Sequence, residues 1–598
     1  MNLSVAQEPP IERAYLDNYR TKCQQFAIIE RVRLTKRNRR FAVTEPLPLC
    51  VTPIHEETSA TMRTNTAQPQ YTDASAETDL ERLPRLDDLQ AGHLRHIVNL
   101  AARLPDDWSG MMGRTTLQED FGSLRFQLAY MSYALALTHV HHLPAAPALF
   151  RKPFDALIQK MLSPDVWVYW HYVSTGNGPF NKGLGKLPAQ WDPVAVDNIM
   201  YSGYIQSMAL LYHYLFRDSK YSHPGSLTFS VNPLFWSLGG KHFAYDEKSL
   251  TQHLYWNMVE RGYLGIACEP NCVFQICNQI PILGFRLHDM VYGGELATEV
   301  TNGYMAAWSD FGVVNDAGHY NMMVQERERN VITPNDAPWT DFWMASLMHA
   351  WHPTFVEQNY PQQLAHWSLE APDGTLTVRH ALPLSENSGA PTSARDFGWA
   401  AVCASEVGDQ PALARLLAYA DHFLHPSWDK GGLYYPRRDE AFDESGYPIA
   451  MDPHTGNVLL AYARLNVPHG LRKLYDNPLD DAHFNAPALT EMSPSLDIRR
   501  AWFERDQSRL TLTIGPIEQS TTKATLKISN HWGRGDWQMR IDGITVANGN
   551  AHSVTSHGND IVRRVDEALL IDLTVDRFLT LTIDWHVRTS PDGRTAKD

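Results

Sequence analysis

The sequence predicts a mainly α protein: an (α/α)6 barrel, or helical toroid, over residues 86–484, followed by a small antiparallel β-sandwich-like domain at 485–598. Three observations carry that expectation. From Leu86 to about Asn477 apolar residues recur at helical spacing in one stripe after another, each closed by a short run of breakers. The stripes amount to roughly a dozen helices, and helices in pairs bury such stripes best in a closed ring of hairpins. After about Phe484 the texture changes to short runs of period two separated by Gly- and Asn-rich turns.

Taken in order, residues 1–85 read as an irregular N-terminal arm. A basic run, Thr35 to Arg40, precedes a Thr, Ala, Gln and Ser-rich stretch from Val51 to Ala76 with little apolar periodicity. The basic run reads as a solvated face rather than a targeting signal. Helical stripes follow at Leu94–Leu104, Leu124–Leu137, Phe154–Met161, Ile199–Leu215, Leu254–Tyr263, Ile282–Tyr292, Trp343–His352, Phe397–Glu406, Pro411–Leu424 and Thr455–Arg464. Alternating runs at Leu510–Ile514, Ala524–Ile528, Trp537–Ile541, Leu569–Leu573 and Leu579–Trp585 make the β domain, whose plainest role is to pack against the helices and stabilise them.

Composition narrows the classes of function. With 598 residues, 43% of them apolar, the chain can bury one large core and a smaller one. Fifty-two basic against 67 acidic residues leave a net charge of −15, which argues against nucleic acid or an anionic membrane as the main partner. Six cysteines, half of them between Cys268 and Cys277, do not form the disulfide framework of a secreted module. No basic-then-apolar leader and no run long enough to span a bilayer is present, so the expectation is a soluble cytoplasmic protein. Aromatic residues at 11%, with 17 Trp and 25 Tyr, exceed the needs of a core and suit a lined apolar cavity.

The most reactive stretch is C-E-P-N-C-V-F-Q-I-C-N, Cys268 to Asn278, where three thiols and Glu269 crowd a loop that leads into a core helix. Read without function, these thiols are core filling, or Cys268 and Cys272 are half of a zinc site whose second half is missing. The histidine runs His139–His142 and His349–His352 lack a third ligand and read as helix-end features, so no metal is expected. A second stretch, W-D-P-V-A-V-D-N-I-M-Y-S-G-Y, places Asp197 and Asn198 where an N-cap is wanted. Met200 and Tyr204 then share one helix face and Tyr201 is offset from it, which core packing alone would also explain.

Together, D-N-I-M-Y-S-G-Y at Asp197–Tyr204, C-E-P-N at Cys268–Asn271 and C-N at Cys277–Asn278 resemble the bacterial linalool dehydratase/isomerase family. P-W-T-D-F-W at Pro338–Trp343, the H-A-W-H-P-T-F run after it and G-W-A-A-V-C-A-S-E-V-G-D-Q at Gly398–Gln410 are similar too, so the resemblance spans roughly residues 100–475. It implies an (α/α)6 barrel acting on a tertiary allylic terpene alcohol with acid/base side chains and no metal or organic cofactor. It implies that Cys268 and Cys277 match the active-site cysteines, Glu269 the adjacent carboxylate, and Met200 a pocket residue. Trp339 and Phe126 stand where the family has cavity tyrosines, keeping the ring and losing the hydroxyl. The bacterial relatives form rings of subunits, which leaves a homo-oligomer open.

The departures shape the expected chemistry. The family's catalytic histidine is replaced by Tyr204, and its early aspartate has only a loose match in Asp106 and Asp107 beside Trp108. The resulting expectation is a cofactor-independent isomerase, dehydratase or cyclase that protonates a small hydrophobic isoprenoid-derived substrate in an aromatic-lined cavity. Cys268, Glu269, Cys277, Tyr204 and Asp197 are the candidate catalytic residues, with Met200, Tyr201, Trp339, Phe126, Phe274, Trp108 and Asp106 as candidate lining. Magnesium motifs for diphosphate ionisation are not apparent. Two rival readings are a glycan-active helical-barrel enzyme, since such barrels with an appended β domain often cleave polysaccharides, and a non-catalytic binding protein whose thiols are inert.

Overall fold

The computed structural model describes residues 80–586 except 114–115, 119–121, 177, 179, 182, 233, 236–238, 334–336, 380–393, 519, 531–534, 551 and 558–560. The expected arm, with its basic and polar runs, lies outside the described residues up to position 79. The helical part is built from α1 (Asp88–Ala101), α2 (Leu124–His141), α3 (Pro147–Met161), α4 (Ile199–Phe216), α5 (Glu247–Glu260), α6 (Gln279–Tyr292), α7 (Leu296–Ser309), α8 (Pro338–Met348), α9 (Pro353–Trp367), α10 (Ala394–Val407), α11 (Gln410–Phe423) and α12 (Leu460–Leu465). A π-helical turn, Thr455–Leu459, leads into α12.

The even-numbered helices pack in a closed cycle: α2 on α4, then α6, α8, α10, α12 and back to α2. Their sequences explain why they are inside. α2 is buried on every face from Leu124 to His139, and α8 along its whole length, the pattern of a helix surrounded by other helices. Each odd-numbered helix covers the cycle from outside, α3 on α2, α5 on α4, α7 on α6, α9 on α8, α11 on α10 and α1 on α12. α1 and α5 show the matching signatures: one buried stripe and a capping box, closed by Asp87 with Gln90 and by Asp246 with Ser249. α4 and α6 approach each other closely because Gly203 lies against Pro281, where an added Cβ would stand 2.9 Å from the proline Cδ.

Several elements differ from the expectation. α7 and α9 carry no strong stripe: α7 buries a thin line of residues among Thr, Asn and Gly, and α9 contains Pro361. Short hairpins, such as Ser427–Asp429 with Gly432–Tyr434, punctuate the helices and are too brief to show period two. Asp197 and Asn198 precede α4 as expected, and Asn198 takes the N-cap position without a side-chain capping hydrogen bond. Both are left-handed, with φ of 55° and 59°, and the start of α4 is held instead by Asn198 N and Ile199 N donating to the carbonyls of Cys268 and Ala267 at 3.0 and 3.3 Å.

The C-terminal region forms two antiparallel sheets. One runs Ala488–Met492, Thr522–Ser529, Ala568–Val575, Ile561–Val565, and the other Leu496–Glu504, Arg509–Pro516, Leu579–His586, Asp536–Ile541, Ile544–Gly549, Val554–Ser556. Leu496–Glu504 escapes a period-two reading because its register shifts between Ile498 and Arg500. Backbone hydrogen bonds dock these sheets on the helices, Leu86 N to Arg499 O at 2.8 Å and Leu489 N to Ala145 O at 2.8 Å. No helix among the described residues is long and apolar enough to cross a membrane.

Candidate active site

The thiol loop is shaped by its own backbone. Cys268 N donates to Cys272 O and Cys272 N to Glu269 O, both at 2.9 Å, and Asn271 takes a left-handed φ of 69°. Past a short strand, Cys272–Phe274, the Asn278 amide closes the loop: it accepts from Ile266 N at 2.8 Å and donates to Ile266 O at 3.0 Å and Phe274 O at 2.8 Å. Gly265 makes room for it, with φ at 131° and an imagined Cβ only 2.7 Å from the Asn278 amide. Asn181 holds the third thiol away, donating to Pro270 O at 2.6 Å and to Cys272 Sγ at 3.2 Å.

Cys268 and Cys277 hydrogen-bond to each other, and Cys277 Sγ lies 3.8 Å from Met200 Sδ. The Met200 backbone N–H, in the first turn of α4, points at Cys268. The bond from Cys277 is the largest influence on Cys268 and lowers its pKa, but burial and the Glu269 charge outweigh it and the thiol titrates above its ordinary value. Burial first, then the bond to Cys268, push Cys277 well up. Both sulfurs are therefore neutral thiols at pH 7. Arg125 opposes the shift at both thiols. Its guanidinium is buried, bonds to Gln118 O, and sits over the rings of Phe126 and Tyr169 at 4.4 and 4.2 Å.

Beside the thiols stands an aromatic wall. Tyr204 donates to the Tyr130 hydroxyl at 3.3 Å, and Trp343 Nε1 donates to the same oxygen at 2.7 Å. Phe126 meets Tyr204 and Trp343 edge-on at 5.9 and 5.6 Å and stacks on His454 at 5.9 Å. Trp339 meets Trp343 at 6.2 Å, and Trp343 stacks on Trp399 at 4.6 Å. Met200, Cys268 and Tyr169 keep 6%, 7% and 9% of their surface accessible while Tyr204 keeps none.

Of the residues named from sequence, Cys268, Cys277, Met200, Tyr204, Phe126 and Trp339 come together here. Half-buried Glu269 adjoins them, its charge raising both thiols and Tyr169. Others do not join. Asp197 pairs with Arg261 at 2.6 Å, drawn off by a cation that also reaches Glu326 at 3.3 Å. Tyr201 turns toward α3 and donates to Met161 O at 2.7 Å. Trp108 donates to Asp165 at 2.9 Å under the Lys160 ammonium, Asp106 is exposed, and Phe274 is half-buried on its strand. Arg125, Tyr130, Tyr169 and His454 are the members that sequence reasoning missed. Arg125 left a trace, as the single Arg or Lys in the apolar α2, and Tyr130 follows Phe126 by one turn. Away from the thiols, among the described residues, His349, Glu357 and His469 approach closely enough to hold a metal ion.

The family model for linalool dehydratase/isomerase matches residues 125–441, more than half of the chain. The chain belongs to the linalool dehydratase/isomerase family. The match begins at Arg125 and takes in both thiols and the aromatic wall apart from His454, and it is narrower than the span expected from motifs. Membership in the linalool dehydratase/isomerase family supports an enzyme of the lyase/isomerase class. Among solved structures, an α-amylase from Clostridium perfringens is 11% identical over 63% of this chain and 98% of its own, with a TM-score of 0.35. A GH76 α-mannanase from Bacteroides thetaiotaomicron is 12% identical over 66% and 98%, with a TM-score of 0.36. An endoglucanase from Clostridium thermocellum complexed with cellotriose is 10% identical over 84% and 94%, with a TM-score of 0.31. Similarity this low bears on neither the fold nor the chemistry of the linalool dehydratase/isomerase family member described here.

Proposed function

We propose that this member of the family is a cofactor-independent acid/base isomerase, dehydratase or cyclase, working on an isoprenoid-derived substrate inside an (α/α)6 barrel. The observation that carries the proposal is the hydrogen-bonded pair of buried, neutral thiols set against an aromatic wall. A neutral thiol can deliver a proton to a hydroxyl, epoxide or alkene carbon. The Cys268 thiolate left behind meets the Met200 amide and the Arg125 charge, both of which favour it. Positive character developing on the substrate faces the rings of Phe126, Tyr204 and Trp343. Glu269 or the thiolate takes the proton back elsewhere on the carbon skeleton. Tyr204, whose pKa burial drives far up, does not exchange protons at pH 7; its hydroxyl is held by Tyr130, and its role is as part of the aromatic wall.

Asp197 and Asp106, expected to assist, are left out of this scheme because one is tied to Arg261 and the other is exposed. A glycan-active reading asks for a second carboxylate across the site from Glu269, and of the two named from sequence Asp197 is committed to Arg261 and Asp106 is exposed. The test is turnover of isoprenoid alcohols, epoxides and polyenes followed by gas chromatography and mass spectrometry. Cys268→Ser and Glu269→Gln are expected to lower turnover by about 10²–10⁴-fold, and Tyr204→Phe by less because its ring survives. Unchanged turnover in both of the first two variants would make the thiol loop structural.

A further inference from the structure

We infer that His349, Glu357 and His469 bind one zinc ion at the end of α8 remote from the thiols. His349 immediately follows α8 and is fully buried. Its Nδ1 lies 2.9 Å from an oxygen of Glu406, itself fully buried on α10, and the same carboxylate accepts from the backbone N–H groups of Leu471 at 2.8 Å and Arg472 at 3.1 Å. An imidazole that donates Nδ1–H to a fixed carboxylate presents the lone pair of Nε2, the arrangement that orients metal-binding histidines. Nε2 faces Glu357, 3.3 Å from Oε1.

The third donor comes from a distant segment. His469 stacks on His349 with ring centroids 5.3 Å apart, and its Nδ1 is buried without a hydrogen-bond partner among the described residues. Its backbone is anchored in a left-handed conformation, φ 60°, with its N–H on Glu406 O at 2.9 Å. Glu406 thus positions two ligands at once. One ligand atom from each of the three residues lies within 4.8 Å of the others.

Two imidazoles and one carboxylate suit zinc, and because Glu357 is exposed the solvent side stays open for water as a fourth ligand. Arg472 also approaches Glu357, at 3.7 Å, but its Nε already holds Asp476 at 3.2 Å, so Glu357 can turn to the metal while Arg472 keeps a partner. The ion would clip the corner between α8 and α9 to the segment after α12. Trp339 lies at the other end of α8, about 15 Å away at 1.5 Å of rise per residue, so the ion takes no part in proton transfer at the thiols. The H-A-W-H motif was short of a ligand only locally: Glu357 arrives from the next helix and His469 from the far side of the chain.

The experiment titrates chelator-stripped full-length protein with zinc against a chromophoric competing chelator and follows thermal unfolding. One zinc per chain and a raised melting temperature are expected, both lost in the double variant Glu357→Gln/His469→Ala. Those two residues are at least partly exposed, and circular dichroism of the variant checks that it folds. Failure of folded wild-type protein to take up an equivalent of zinc overturns the site. Uptake by the double variant equal to that of the wild type overturns it as well.

Discussion

Tyr130→Phe is a sharp test of how the aromatic wall is held. The Tyr130 hydroxyl accepts from Trp343 Nε1 at 2.7 Å and from Tyr204 at 3.3 Å, and all three side chains are at most 1% accessible. The substitution keeps every ring contact, including the edge-on packing on Trp399 at 4.8 Å, and removes one oxygen. Withdrawing a short bond from a buried indole N–H costs about 1–3 kcal/mol, and losing the longer hydroxyl pair adds about 0.5 kcal/mol. Tyr204→Phe loses only the longer bond. Tyr130→Phe is therefore expected to cost about 1.5–3.5 kcal/mol and Tyr204→Phe under about 1 kcal/mol, with a coupling of about 0.5 kcal/mol in the double-mutant cycle. Urea unfolding followed by far-ultraviolet circular dichroism measures all four corners of the cycle. If Tyr130→Phe proves no more destabilising than Tyr204→Phe, Tyr130 is not the hub of the wall.

Cys272 is pushed up from 9.0 to about 12, chiefly by burial and then by the Glu269 charge. Between those values the folded chain keeps a proton that the unfolded chain has lost, so this thiol makes stability fall as pH rises from about 9 toward 12. Cys272→Ala is expected to flatten that decline in a series of melting temperatures against pH, and an unchanged slope counts against the assignment. Gly203→Ala would place a Cβ 2.9 Å from the rigid Pro281 ring. Overpacking of about 1–3 kcal/mol outweighs the roughly 1 kcal/mol that alanine returns in helix propensity, so a lower melting temperature is expected. A gain in stability would mean that α4 and α6 separate at little cost.

The sequence alone was strongest where the physics is local. The mostly apolar run Leu124–Leu137, broken by Arg125, Gln127 and Ser132, has no continuous polar face to offer water, so its position inside a helical core follows directly, and α2 and α4 start at the residues expected, Leu124 and Ile199. The thiol loop and the N-I-M-Y stretch likewise carried the family before any coordinates. Weak local signals failed: α9 has a proline within it, and the bulged strand Leu496–Glu504 breaks its own alternation.

What only the tertiary structure decided is which partner each polar group finds. Asp197 looked equally suited to capping α4 or serving the thiols, and the choice fell to Arg261, a residue brought beside it by the packing of α5 against α4. Arg125 became part of the site because α2 lies next to α4 in the ring, and His349 gained Glu406 because α10 packs on α8 and His469 because the chain returns after α12. Burial pattern and helix periodicity are properties of neighbours in sequence and can be read from one stretch at a time. Hydrogen-bond partners, thiol pKa shifts and ligand sets are sums over groups far apart in the chain, and they exist only once the ring has closed.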